Sequence, residues 1–178
     1  TLNASVSDAA SGGSTIAAAE YYIDSTAGTA VAMSATDGAF DSVTEAIRAT
    51  IPAATVGTLT TGNHAIYVRG QDSAGNWGPF SSAVLKVDNT GPVTGVLTRA
   101  PNPSNGTVAV ALSGTANDSA SGGSNIQVAE YTIDGGTAIA MSVNAASPVA
   151  NLTATISAAT VADLVEGTHA VSVRSQDA

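Results

Sequence analysis

Four aspartates have the residue type and setting for metal chemistry: Asp8 with Asp72, and Asp118 with Asp177. The loop sequence SGGS follows Asp8 and Asp118, and AGN lies just beyond Asp72. Calcium takes about six to eight oxygens, and glycine-rich loops can supply carbonyls beside the carboxylates. Each pair offers only two carboxylates, however, and no EF-hand ladder of acidic residues is present. The simpler reading has Asp8 and Asp118 cap their loops by accepting backbone N–H bonds, while Asp72 and Asp177 open the next turn. Calcium stays as the alternative, with Asp88 joining a site at the junction between the halves.

Other candidates for chemistry fall away. His64 and His169 occupy equivalent positions, but no G-x-S-x-G elbow accompanies them and no second histidine stands at ligand spacing. A nucleophilic triad needs serine, histidine and carboxylate in contact, so these read as structural corner histidines bonded to backbone. Glu20 and Asp24 sit four residues apart on a strand, roughly 13 Å, without a cleft for glycoside hydrolysis. Tyr22, Tyr67, Trp77 and Phe80 could form a platform for sugars. Yet Tyr22 and Tyr67 become Thr132 and Ser172 in the second half, so Trp77 and Phe80 are expected to cover the sandwich end or the domain junction. The chain therefore reads as non-enzymatic, with no cofactor other than the calcium alternative.

The elements that position these residues come in two copies. SDAASGGSTIAAAEYYID (residues 7–24) returns as NDSASGGSNIQVAEYTID (117–134), TAVAMS as TAIAMS, and IPAATVGTLTTGNHAIYVRGQD as ISAATVADLVEGTHAVSVRSQD. Glu20 and Glu130 are 110 residues apart, whereas Arg69 and Arg174 are 105 apart, so the second copy has lost about five residues in a middle loop. SAGNWGPFSSAVLKVDNTGP follows the first copy alone, and PVTGVLTRAPNPSNGTVAVA precedes the second alone. The expected organisation is a first repeat over 1–89 without its first strand and a second over 90–178 without its last. This fits a window from a longer tandem array, or a subunit whose missing strands come from neighbours. The start at Thr1, without methionine or a signal pattern, is expected of a piece of something longer.

Strand patterns run throughout. Val108, Val110 and Leu112 alternate with small residues, Ala19, Tyr21 and Ile23 share one face of a strand, and His64, Ile66 and Val68 align with His169, Val171 and Val173. Tyr22 lies on the opposite face and is assigned to solvent. Asp134-Gly135-Gly136 and Asn105-Gly106 mark tight turns. Only ATVGTL and its copy ATVADL suggest a helical turn, too short to stand alone. About seven short strands per repeat predict an all-β chain of two β-sandwiches.

GNHAIYVRGQDSAGNWGPFSSAVLKVD resembles the last two strands of fibronectin type III and bacterial immunoglobulin-like modules. Together with DAASGG…AEYYIDS it resembles the immunoglobulin-like tandem repeats of bacterial secreted and cell-surface proteins, and VDNTGP (87–92) resembles their junctions. His64 and His169 stand where fibronectin modules carry a corner tyrosine. The resemblance implies an extracellular structural module of a stalk, adhesin or fibre. It also places Glu20 beside Arg69 on antiparallel strands, and Glu130 beside Arg174, as exposed pairs that favour register more than stability.

Composition narrows the partners. The 178 residues carry a net charge of −9, and the five basic residues are scattered, so nucleic acid and anionic membrane are unsuited. The absence of cysteine removes disulfides and thiolate chemistry. No apolar run approaches the roughly 20 residues that span a bilayer. Expected partners are neighbouring repeats of the same or identical chains, and surface glycans. The alternatives are a carbohydrate-binding accessory module of a secreted enzyme, or a filament subunit assembled by strand complementation.

Overall fold

Alternating small and apolar residues make strands the main regular structure of this chain, and the computed structural model describes all of it, Thr1–Ala178. It divides into two compact units, Thr1–Val87 and Asp88–Ala178. No helix is long and apolar enough to cross a membrane.

The first unit contains β1 (Leu2–Ser7), β2 (Ile16–Ile23), β3 (Val31–Ala35), β4 (Thr44–Ala49), the single turn α1 (Ala53–Val56), β5 (Gly62–Asp72) and β6 (Ser81–Val87). Its hydrogen-bonded order is β1-β4-β3-β2-β5-β6, with every pair antiparallel. β3 makes the corner. Its first residues pair with β2 (Tyr21↔Val31, Ala19↔Met33), and its last two pair with β4 (Ser34↔Arg48, Ala35↔Ile47). The layers on either side of that corner share one core. Ala19, Tyr21, Met33, Ile47, Ile66 and Val68 form its centre, with Leu2, Ala4, Val6 and Leu85 packed against them. These are alternate positions along each strand, as a period of two requires.

The second unit contains β7 (Val93–Thr94), β8 (Thr98–Ala100), β9 (Val110–Asn117), β10 (Ile126–Ile133), β11 (Ile139–Ala140), β12 (Ser142–Val143), β13 (Val149–Ile156), the single turn α2 (Ala158–Ala162) and β14 (Val171–Asp177). One sheet runs β11-β10-β14 and another β12-β13-β9-β7, with β8 also on β9. Both sheets contribute to one core of Leu112, Ala129, Tyr131, Met141, Leu152 and their neighbours. β11 and β12 correspond to the two ends of β3, with buried Met141 between them donating its N–H to the Ala129 carbonyl at 2.8 Å.

The pairing register repeats. Leu2↔Ala49 becomes Leu112↔Ala154, and Glu20↔Arg69 becomes Glu130↔Arg174. Even the irregularity between Ile16 and Ala18 returns between Ile126 and Val128. The edges differ. In the second unit β7 and β8 cover the outer side of β9, whereas the outer side of β1 has no such strand. In the first unit β6 covers β5, whereas β14 ends its sheet uncovered.

Two local expectations change. Tyr22 is not on a wet face: it is 6% exposed, because the Phe80 ring meets it edge-on at 5.6 Å between centroids. β9 starts at Val110, and Val108 is 52% exposed, because Asn105 holds residues 105–107 in a turn through its bond from the Thr107 N–H at 3.1 Å.

Candidate functional site

Three carboxylates converge in the second unit. Asp118 follows β9, where the chain must turn sharply into the SGGS loop. Its carbonyl accepts from the Ser121 and Gly123 N–H groups at 3.0 and 2.9 Å. Its side chain is fully buried and accepts from the Ser121 hydroxyl at 2.9 Å and the Ser124 N–H at 2.5 Å. Asp177 ends β14, opposite Ile126 at the start of β10. Asp88 completes the set, with its Oδ1 accepting from the Thr90 N–H at 3.1 Å. One oxygen from each carboxylate lies within 4.8 Å of the other two.

The arrangement is electrostatically unfinished. Asp88 Oδ2 and Asp177 Oδ2 are both shielded from solvent, and neither receives a hydrogen bond. Burial pushes the Asp177 carboxyl above its ordinary range, and the neighbouring Asp118 and Asp88 carboxylates push it further. The Ser124 hydroxyl and the Thr90 N–H hold Asp88 low instead. A side chain at Gly122 would place its first carbon 1.9 Å from Asp88 Cγ, so only glycine lets the loop close over this carboxylate. Uncompensated carboxylate oxygens in a dry site are costly. Either a proton held on the raised Asp177 or a hard divalent cation with oxygen ligands would satisfy them.

The first unit repeats half of this. Asp8 makes the same turn, its Oδ2 accepting from the Ser14 N–H at 2.8 Å. Asp72 is engaged by Asn76, whose backbone N–H and side-chain amide donate to its two oxygens at 2.8 and 3.0 Å. Those bonds, that from the Asn76 side chain foremost, hold the Asp72 carboxyl low. No third carboxylate joins Asp8 and Asp72.

The ion pairs lie on the outer faces. Arg69 Nη2 is 2.6 Å from Glu20 Oε1, and the Tyr22 hydroxyl donates to the same oxygen at 2.7 Å. The Arg69 guanidinium also lies over Trp77 at 4.4 Å and Phe80 at 4.7 Å from the ring centroids. Those aromatic faces are thus occupied from within the unit. Arg174 pairs with Glu130 but has no aromatic cover, and its side chain is 81% exposed.

The histidines have a carboxylate partner that the sequence reading missed. His64 Nδ1 lies 2.7 Å from Asp24 Oδ2, and Nε2 lies 2.8 Å from the Thr60 carbonyl. Asp24 Oδ1 also accepts from the Ala65 N–H at 3.0 Å. Asp134, His169, Val165 and Ala170 repeat the arrangement. Asp24 and Asp134 are the only non-glycine residues at positive φ, a conformation aspartate tolerates better than most. Their recurrence as the last residue of YID and TID was the available signal. Both partners of each histidine are acceptors, so the corner favours the cationic ring, which can donate from both nitrogens. The Nε2 that would deprotonate a serine is bonded to a carbonyl instead. Glu45 also escaped notice: it is 3% exposed, and its Oε1 accepts from the Asp41 and Ser42 N–H groups.

These corners predict a pH dependence. The Asp24 bond raises His64 above its ordinary 6.5, and Asp134 does the same for His169. Stability from the cationic ring is therefore full below pH 6.5 and is lost as pH rises through the raised value. Asp24 and Asp134 are lowered by their histidines from 3.8. Their share is present above that pH and is lost as pH falls through the lowered value. Melting temperature should thus fall from pH 6 to pH 9. The double variant His64→Gln and His169→Gln should flatten that decline; an unchanged slope would remove the corners as its cause.

No family model matches the chain, and no curated protein matches it. Among solved structures it is similar to the D00-D0 domain of Intimin, at 15% identity and a TM-score of 0.28, over 100% of this chain and 79% of that one. With so slight a likeness, the functional reading rests on this chain's own residues.

Proposed function

We propose that the chain is two tandem immunoglobulin-like β-sandwich modules of an extracellular bacterial surface protein, a stalk, adhesin or fibre. The modules meet in VDNTGP. They supply length and mechanical resistance rather than catalysis, and their partners are neighbouring repeats. The observation that carries this is the repetition of one strand register, Glu20↔Arg69 and Glu130↔Arg174, around two separate hydrophobic cores. Spending the duplication on strands and corners, rather than on a cleft, is what a spacer requires. Pulling single molecules of the chain by its ends tests it. Two unfolding events are expected, each releasing roughly 30 nm of chain. A single event, or saturable binding on a glycan array, would overturn it; the second outcome would favour a carbohydrate-binding accessory module.

A cation at Asp88, Asp118 and Asp177 fits the same role, because it would tie the start of the second unit to the end of β14. The support is the pair of buried carboxylate oxygens without donors. Calcium at 100 times its dissociation constant adds about 2.7 kcal/mol to the unit that binds it. The second unit should therefore melt higher in calcium than in chelator, and Asp177→Asn should abolish the difference. Melting that ignores chelator would exclude a structural ion. Asp8 and Asp72 are expected to contribute nothing to this difference, since Asn76 already satisfies Asp72.

A further inference from the structure

Asn105 is the one asparagine of the chain that is followed by glycine, and it lies exposed on the turn that leads towards β9. Its Oδ1 accepts twice from Thr107, from the N–H at 3.1 Å and from the hydroxyl at 2.7 Å. The small ring closed by the first of these bonds encloses the Gly106 main-chain nitrogen. The carboxamide carbon is therefore held near that nitrogen, and two donors polarise its oxygen. The nitrogen itself is open. The Gly106 N–H has no nearer partner than the Ser104 hydroxyl at 3.4 Å, and glycine carries no side chain to shield it.

Asn117 provides an internal comparison. Its Oδ1 accepts from the Ser119 N–H at 2.9 Å and from the Ser119 hydroxyl at 2.6 Å, so its carboxamide is held in the same way. The nitrogen that follows it is not open. The Asp118 N–H donates to the Pro148 carbonyl at 2.7 Å, and Asp118 is fully buried. The two turns share an electrophile and differ in the nucleophile beside it.

We propose that Asn105 is a site of spontaneous deamidation in the folded protein, passing through a succinimide to aspartate and isoaspartate. The Gly106 nitrogen loses its proton to hydroxide and bonds to Asn105 Cγ. Proximity favours the closure, and the two Thr107 donors stabilise the negative charge that develops on Oδ1. The Cγ–Nδ2 bond then breaks, and the nitrogen takes a proton from water and leaves as ammonia. Water opens the five-membered ring. Attack at Cγ gives aspartate, and attack at the Asn105 main-chain carbonyl gives isoaspartate, which carries one more methylene in the backbone. Either product adds a negative charge. Isoaspartate does more, because this turn packs on α2: a first side-chain carbon at Gly106 would lie 2.9 Å from Ala162 Cα. A lengthened turn cannot keep that fit, so α2 loosens. None of this depends on the role proposed for the modules.

The test holds the whole chain in mildly alkaline buffer and follows it by peptide mapping with mass spectrometry. A gain of one dalton at Asn105 is expected, faster as pH rises, with isoaspartate resolved by retention. Asn117 should convert at least about tenfold more slowly, since its nucleophile is bonded and buried. Thr107→Val, a change at an exposed position, should slow Asn105 about two- to tenfold, the share of one hydrogen bond. Asn105→Gln should abolish the gain, and hydrogen exchange across Ala158–Ala162 should rise in the aged parent chain but not in that variant. An Asn105 amide that survives in the folded chain while the urea-unfolded chain loses it would overturn the proposal, because the turn would then block ring closure. Equal conversion of Asn117 in the folded chain would also overturn it, as would an unchanged rate in Thr107→Val. Unchanged exchange in α2 once isoaspartate has formed would overturn the packing consequence.

Discussion

Replacing Leu152 with alanine should cost the second unit about 2–5 kcal/mol. Leu152 has no exposed surface and lies on β13 between the exposed Asn151 and Thr153. It packs with Leu112 and Tyr131, one from each sheet, and so joins both layers of the core. Truncation removes about 1.5–3 kcal/mol of apolar burial, and the unfilled space adds the rest. For a unit of this size each kcal/mol lowers the midpoint by roughly 4–8 °C, so the midpoint should drop by roughly 8–40 °C. Val149→Ala on the same strand is the control. Val149 is 51% exposed, and its truncation should stay within about 0.5 kcal/mol. Equal losses from the two variants would mean that β13 does not present one face to a core.

Gly70→Ser should destabilise the first unit by about 1–3 kcal/mol, and Val6→Ala should restore much of the loss. A side chain at Gly70 would put its first carbon 2.2 Å from Val6 Cγ1, which cannot be accommodated without moving β1 or β5. The second unit shows how the same fold tolerates serine there. Ser175 stands at the position of Gly70, and Ala116 stands at the position of Val6, fully buried. Valine with glycine and alanine with serine are two solutions to one packing problem. Chemical denaturation of the two single variants and the double variant measures the coupling. Additive losses would show that Val6 and residue 70 do not share space in the folded state.

That pair illustrates where sequence reading succeeds and where it stops. The duplication, the strand faces through Tyr21, Ile66 and Val68, and the turns at Gly135 and Gly106 are all legible along the chain. They follow from short-range rules: a period of two, and the tolerance of glycine for conformations other residues avoid. The juxtaposition of Glu20 with Arg69 needed one step more, a topology borrowed from resemblance. The environment of Tyr22 and the partner of His64 were not legible. Each depends on a residue distant in sequence, Phe80 for one and Asp24 for the other.

The aspartates show the same division most clearly. By itself the sequence determined that Asp8 and Asp118 head matching loops and that Asp72 and Asp177 end matching strands. That pattern separates the two halves in one respect only, since AGN follows Asp72 alone. Only the tertiary structure decided that Asn76 satisfies Asp72, while Asp177 meets Asp118 and Asp88 with two oxygens left bare. The physical reason is range. Strand periodicity and turn chemistry act over a few neighbouring residues, whereas desolvation and carboxylate repulsion depend on which groups the folded chain brings within a few ångströms.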